Sequence, residues 1–226
     1  MLQFTLFGFP IRIQWMFWVV GCLLVSGLLS SPDPRAIQLI LVWLVVFFVS
    51  ILWHELGHAF AMRRFGGHPE ILLYGMGGVC SSVGRYTRVQ SMIISAAGPA
   101  AGFLLALVAC LPMLLLDYEI SWKRIFSAHS FHSLTEFALL KLLFINIFWT
   151  LLNLLPILPL DGGQIFRDFM SKTNPAVVPK VGMITAGIVA VLSFTFLGSL
   201  FMALMFGYLA YQNYNMSKGQ SFRMPF

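Results

Sequence analysis

Two histidines and a glutamate lie close together near the end of a long apolar run, as His54, Glu55 and His58. On a helix, residues four apart differ by about 40° in direction and about 6 Å in height, so both imidazoles leave the same face. That arrangement suits two of the four positions around a tetrahedral zinc ion. Glu55 lies about 100° further round the helix, where a carboxylate can take a proton from a water that zinc has activated.

The same H-E-x-x-H pattern arises by chance in surface helices of soluble proteins, where histidine and glutamate cost little. The residues before His54 are almost all apolar, however, which places the three side chains inside a membrane. Ionisable groups at that depth cost several kcal/mol unless they pair or bind a metal. The sequence therefore favours a metal site over a chance match.

Composition places the chain in a membrane. Of its 226 residues, 59% are hydrophobic and 10% charged, whereas soluble domains carry about 25% charged residues. The net charge of +6 comes from basic residues that flank apolar spans. That position favours orientation in the bilayer over nucleic-acid binding. The three scattered cysteines form no CxxC zinc motif and predict no disulfide framework.

The apolar segments predict one domain over 1–226, an all-α polytopic membrane protein with about six transmembrane helices. Residues 1–12 are short and amphipathic, and no cleavage site follows, so we expect the first helix to be retained. A small β-hairpin is predicted at about 68–90, between the second and third spans, with one strand edge beside the metal. The small residues 96–102 favour close helix packing. The predicted spans are about 13–29, 36–62, 91–116, 136–155, 181–197 and 198–214.

The distribution of basic residues orients these spans. Six spans put both termini on one side, and that side carries ten basic residues against four on the other. The positive-inside rule makes the ten-residue side cytoplasmic. Those ten residues are Arg12, Arg63, Arg64, Arg85, Arg88, Arg167, Lys172, Lys180, Lys218 and Arg223.

Depth in the membrane narrows the search for a third zinc ligand. His58 lies five residues before Arg63, which places the metal about 8–12 Å below the cytoplasmic boundary. Side chains expected at the opposite face of the membrane are excluded as zinc ligands. Side chains in polar links on the cytoplasmic side are interpreted as solvated groups. The excluded residues are His129, His132, Asp117, Glu119 and Glu136, and the solvated ones are His68, Glu70 and Asp168.

Asp161 remains, at the cytoplasmic end of the fourth span. Pro156 and Pro159 precede it, and they predict a break in the helix at membrane depth, where protein or a water-filled cavity must satisfy the backbone. Gly162-Gly163 then allows a tight turn. An alternative is that Asp161 caps a helix over 164–170. This alternative does not explain the double-proline break, so we favour the ligand.

Asn153 lies eight residues before Asp161. A buried amide can donate to an oxyanion or can tie two helices together, and the spacing alone does not choose between these roles. Asn146 has no comparable context, and we interpret it as a packing residue.

Taken together, these motifs resemble the site-2 protease family of intramembrane zinc metalloproteases, peptidase family M50. The resemblance covers roughly residues 36–165. It implies that zinc, one ion per chain, is bound by His54, His58 and Asp161, that Glu55 activates water, and that Asn153 helps to stabilise the oxyanion. The matching motifs are His54-Glu55-Leu56-Gly57-His58, Gly98-Pro99, and Asn153-Leu154-Leu155-Pro156 with Leu160-Asp161-Gly162-Gly163.

The resemblance further implies hydrolysis of peptide bonds in or near a transmembrane segment of a protein or peptide substrate. It implies a protein surrounded by membrane lipid, in a prokaryotic cell membrane. The basic residues place the termini and the active-site end on the cytoplasmic side. The chain departs from many members because we expect neither a PDZ nor a CBS domain, and because no asparagine follows Gly98-Pro99 closely. A membrane metal-ion transporter and a catalytically silent scaffold are the alternatives.

Overall fold

A computed structural model of the chain describes residues 1–26, 34–115, 118, 131, 133–196 and 198–220. Several polar residues lie outside these ranges, as do the ends of the first, third and fifth predicted spans. The polar residues outside are Asp117, Glu119, His129, His132 and Arg223, together with Lys123 and Arg124, which are two of the four basic residues on the side opposite to the termini.

The chain divides into two units. The first comprises Met1–Arg85 and Ala97–Thr150, and the second comprises Tyr86–Ala96 and Leu151–Phe226. Two long helices, α3 (Arg88–Leu115) and α4 (Leu134–Asn153), contribute residues to both units.

The first unit contains a four-stranded sheet in the order β1-β2-β3-β4. The predicted hairpin is confirmed as the antiparallel pair β3 (His68–Tyr74) and β4 (Gly77–Val83). The strands β1 (Leu2–Leu6) and β2 (Phe9–Ile13) add a second antiparallel hairpin, and β2 pairs with β3 in parallel. The sheet is therefore twice as wide as the sequence predicted.

The N-terminal hairpin has a clear local cause. Phe7 and Gly8 both have positive φ, at 51° and 82°, which is typical of the tight turns that match strand twist. In β2 the side chains of Phe9, Ile11 and Ile13 are buried and alternate with exposed residues, as expected of a strand with one covered face. The first helix, α1 (Trp15–Leu24), consequently begins two residues later than predicted.

The metal-binding motif lies on α2 (Ala36–Arg64), the longest described helix. Aromatic side chains pack α1 against α2, with the Phe17 and Phe47 rings stacked at 4.9 Å between centroids. A buried hydrogen bond joins α2 to α4, because Asn146 Nδ2 donates to Ser50 Oγ at 2.9 Å. Asn146 therefore ties two helices together, in agreement with its interpretation as a packing residue.

The second unit contains α5 (Asp161–Met170), α6 (Val177–Thr195) and α7 (Leu200–Ser217). By length and composition, four described helices could cross a membrane: α2, α3, α4 and α6. The polytopic helical fold is confirmed, and the number of six spans stays a prediction. α1 has ten residues, and α7 does not meet the same criterion of length and composition.

Candidate metal centre and active site

His54 and His58 come together on one face of α2. Their Nε2 atoms are 3.2 Å apart, and their rings meet edge to face with centroids 4.9 Å apart. Two nitrogen ligands on one tetrahedral zinc ion lie about 3.3 Å apart when each Zn–N bond is about 2.0–2.1 Å. The pair therefore fits a shared metal ion, on side chains that are only 2% and 6% exposed.

The helix that carries this pair is held against α3 by small residues and one hydrogen bond. Trp53 Nε1 donates to the backbone oxygen of Ala101 at 3.1 Å. A β-carbon on Gly57 would lie 2.5 Å from the backbone oxygen of Ala97 and 2.8 Å from the β-carbon of Ala101. Only glycine at position 57 allows this approach, so the sequence between the two histidines sets how closely α3 passes them.

Glu55 is buried on a different side of α2, beside strand β4. A β-carbon on Gly78 would lie 2.5 Å from Glu55 Oε1, so the strand backbone passes directly over the carboxylate. This agrees with the expected turn of about 100° between Glu55 and the histidines. The glycine-rich segment at residues 75–78 signals a hairpin in the sequence, but its contact with Glu55 is visible only in the folded chain.

The Cys80 thiol lies near enough to the Glu55 carboxylate for its pKa to depend on that charge. Burial raises the pKa of the Cys80 thiol above its ordinary value, and the nearby Glu55 carboxylate raises it further. Cys80 Sγ lies 3.7 Å from Met62 Sδ. The cysteine therefore stays protonated at neutral pH, in surroundings unlike those of a reactive thiolate.

Asp161 belongs to the second unit, where it is the first residue of α5 and is buried. The N-cap is Leu160, and it makes no side-chain capping hydrogen bond. The capping alternative placed Asp161 before a helix over 164–170. The helix instead starts at Asp161 itself, so Asp161 lies in its first turn and is not the N-cap. The reason is local, since Gly162 and Gly163 let the first turn pack against backbone atoms of Leu154 and Ile157.

The predicted break before Asp161 is present, between the end of α4 and the start of α5. The Leu158–Pro159 peptide bond is cis. Asn213 Nδ2 donates to the Leu158 oxygen at 2.8 Å, and Gln164 Nε2 donates to the Pro159 oxygen at 3.0 Å. Side chains of the same unit therefore satisfy the non-helical backbone, as membrane depth demands.

The other predicted site residues are distributed as follows. Asn153 is the last residue of α4 and is half-buried. His68 is exposed on β3, and Glu70 forms an exposed ion pair with Arg12. Glu136, which we expected at the start of the fourth span, lies in the first turn of α4 but is fully buried.

Asp168 pairs with its neighbour Arg167 at 3.1 Å. Asp168 lies inside α5, and its side chain is only 13% exposed, so the interpretation as a solvated group of a polar link was wrong.

Comparison with known proteins agrees with the family resemblance that the sequence motifs indicate. The model of peptidase family M50 matches residues 42–197 of the chain. A zinc metalloprotease of Methanocaldococcus jannaschii is 28% identical over 173 residues, which cover 75% of this chain and 45% of that protein. The Rip3 protein of Mycobacterium tuberculosis, provisionally named a zinc metalloprotease, is 29% identical over 204 residues, covering 84% and 49%. The chain spans about half the length of the curated relatives it matches.

A solved structure extends the likeness to the whole chain. The site-2 protease from Methanocaldococcus jannaschii superimposes with a TM-score of 0.61 and covers 100% of this chain and 99% of that one. The sequence identity is 22%, so this likeness shows the fold.

Proposed function

Because the chain belongs to peptidase family M50, we propose that it is an intramembrane zinc metalloprotease. It hydrolyses peptide bonds in or near transmembrane segments of membrane-protein substrates. The observation that carries the proposal is the buried pair of His54 and His58 with their Nε2 atoms 3.2 Å apart, in a family named for peptidase activity and with relatives named as zinc metalloproteases.

One zinc ion per chain would be held by His54, His58 and Asp161. All three side chains are buried, and each offers a ligand atom of a kind that zinc accepts, two imidazole nitrogens and one carboxylate oxygen. A zinc ion would place a positive charge beside the buried Asp161 carboxylate. When bound, zinc lowers the pKa of a coordinated water towards neutrality and polarises a carbonyl group.

The Glu55 carboxylate takes the proton of the attacking water and later passes it to the leaving amine. Its burial beside β4 keeps bulk water away from the carboxylate. The side-chain amide of Asn153 donates a hydrogen bond to the oxyanion that forms on the substrate. The oxygen of the attacking water forms the new bond to the scissile carbonyl carbon, and the C–N bond breaks as the leaving amine receives the proton from Glu55. Because water is the nucleophile, no covalent intermediate with the protein is needed.

A helical substrate must be unwound locally before its peptide bond can be attacked. Strand β4 ends the sheet among the described residues, so an extended substrate segment could pair with its outer edge and recover backbone hydrogen bonds there. Gly78 of β4 lies beside the Glu55 carboxylate. A substrate strand on this edge would therefore run close to the proposed base.

The protein is an integral membrane protein. We propose that it lies in a prokaryotic cell membrane, with both termini and the active-site end cytoplasmic, because ten basic residues are predicted on that side. Its partners are membrane lipid and a transmembrane protein or peptide substrate, without nucleic acid.

A cleavage assay in detergent tests this function. Wild type and Glu55→Gln are purified without chelators, zinc is measured on both, and both are given a panel of single-span substrates. We expect about one zinc per chain in each protein and cleavage by the wild type alone. If both hold zinc and neither cuts any substrate, the protease proposal fails, and metal transport into liposomes tests the transporter. Equal cleavage by both proteins would refute the role of Glu55.

A further inference from the structure

One glycine of α3 faces the ligand atoms of the two histidines. A β-carbon on Gly98 would overlap His58 Nε2, and it would lie 2.5 Å from His58 Cε1 and 2.8 Å from His54 Nε2. Both Nε2 atoms therefore point at the same patch of bare α3 backbone. No side chain larger than hydrogen fits at this position without moving at least one imidazole.

Gly98 differs in this respect from its neighbour in the same helix contact. Gly57 makes room for a backbone oxygen and a methyl group of α3, which is ordinary close packing. Gly98 instead makes room for the two nitrogen atoms that a metal would use. Glycine is unfavourable inside a helix compared with alanine, so a glycine at position 98 calls for a specific reason.

We infer that Gly98 is a positioning residue of the metal centre. Its missing side chain keeps open the space in front of the two Nε2 atoms and lets the α3 backbone hold both rings in the orientation that a metal requires. Orientation of ligand imidazoles by their surroundings commonly changes metal affinity by about 10- to 100-fold. The role assigned to Gly98 rests on the proposed metal centre, but it does not depend on which substrate is cut.

Zinc affinity measured by competition with a chromophoric chelator tests this role. We expect Gly98→Ala to bind zinc about 10- to 100-fold more weakly than the wild type. Its cobalt-substituted form should have an altered absorption spectrum, because the ligand geometry changes. Gly57→Ala disturbs the same helix contact without placing an atom in front of the Nε2 atoms, so it should weaken zinc binding less than Gly98→Ala does. Gly187→Ala, in α6 with no described atom within 4 Å of its β-carbon position, should leave affinity unchanged.

A second measurement decides the case in which Gly98→Ala destabilises the protein. In chelator-treated protein, the thermal stability lost through Gly98→Ala should largely disappear when His58 is also replaced by alanine, because the clashing ring is gone. An equal loss in both backgrounds would overturn the inference, as would unchanged zinc affinity in Gly98→Ala. A wild type that binds no zinc would instead refute the proposed metal centre, and the stability comparison would still decide whether Gly98 meets His58.

Discussion

One of the two amides that donate to the break before α5 is fully buried, and replacing it gives a sharp test of how this backbone is stabilised. Asn213 is fully buried in α7, and its Nδ2 atom donates to the oxygen of Leu158 at 2.8 Å and to that of Leu209 at 2.8 Å. Leu209 is four residues earlier on the same helix, so its oxygen is already served by the helix ladder. Leu158 is in non-helical backbone, and Asn213 is the described donor to its oxygen.

The size of the effect follows from these contacts. Asn213→Leu removes the donor and leaves a part-buried carbonyl oxygen unsatisfied, and the cost would be about 1–3 kcal/mol if the oxygen were fully buried. Part of this is recovered, because Asn213 Oδ1 has no hydrogen-bond partner among the described groups and its removal relieves a buried polar atom. We therefore expect a net loss of about 1–2 kcal/mol in the free energy of unfolding.

Asn213→Asp separates hydrogen bonding from shape. At a pH high enough to ionise it, aspartate keeps the size of asparagine but replaces the donor with an acceptor that faces the Leu158 oxygen. If donation matters, Asp should be worse than Leu at position 213, and both should be worse than the wild type. Equilibrium unfolding in mixed detergent micelles measures the order. An aspartate variant as stable as the wild type, with a destabilised leucine variant, would refute this reasoning and favour simple shape complementarity.

Three further predictions concern other buried groups. A double-mutant cycle of Ser50→Ala and Asn146→Leu should give a coupling energy of about 0.6–1.7 kcal/mol in unfolding experiments, because the two side chains share a hydrogen bond. A coupling energy near zero would contradict this contact. Thr150→Val should leave stability unchanged or raise it by about 1 kcal/mol, since Thr150 Oγ1 is buried and has no hydrogen-bond partner among the described groups; a clear loss would show that the hydroxyl has one. Alkylation of Cys80 by iodoacetamide should be slow at pH 8 and accelerate as pH rises, because its raised pKa keeps the thiol protonated. Glu55→Gln removes one cause of the raised pKa and should speed the alkylation at pH 8.

The sequence was most informative where membrane energetics left few choices. A long apolar run with a histidine pair near its end could only be a buried helix, and α2 includes the whole predicted second span. The double proline before Asp161 similarly predicted a local interruption, because proline cannot continue the helix ladder. These are local signals, and each follows from a few neighbouring residues.

The two N-terminal strands were not predicted, because β3, the strand with which β2 pairs, is distant in sequence. Ile11 of β2 lies opposite Ile71 of β3, sixty residues away, in a parallel pair. The sequence separates residues 1–12 from the first span, but it indicates only an amphipathic segment there and does not predict two strands. The alternation at Phe9, Ile11 and Ile13 was the available signal.

The contacts around the site could not be predicted from the sequence either. The sequence marked Gly98 as one of several small residues in a packed helix, but it could not indicate that this position meets the histidine nitrogens. Likewise, Asn213 is a polar residue near the end of an apolar helix, and no local pattern connects it with the oxygen of Leu158. Such pairings are decided by how helices pack, which a single sequence does not contain.

Zinc-edge X-ray absorption on the wild-type protein, purified without chelators, tests the metal centre most directly. The account predicts about one zinc per chain, with two imidazole nitrogens from His54 and His58 and oxygen ligands, all at about 2.0–2.2 Å. Asp161→Ala should weaken binding and change the oxygen shell. Wild type without stoichiometric zinc, or with a sulfur ligand at about 2.3 Å such as Cys80 would provide, would contradict the central claim.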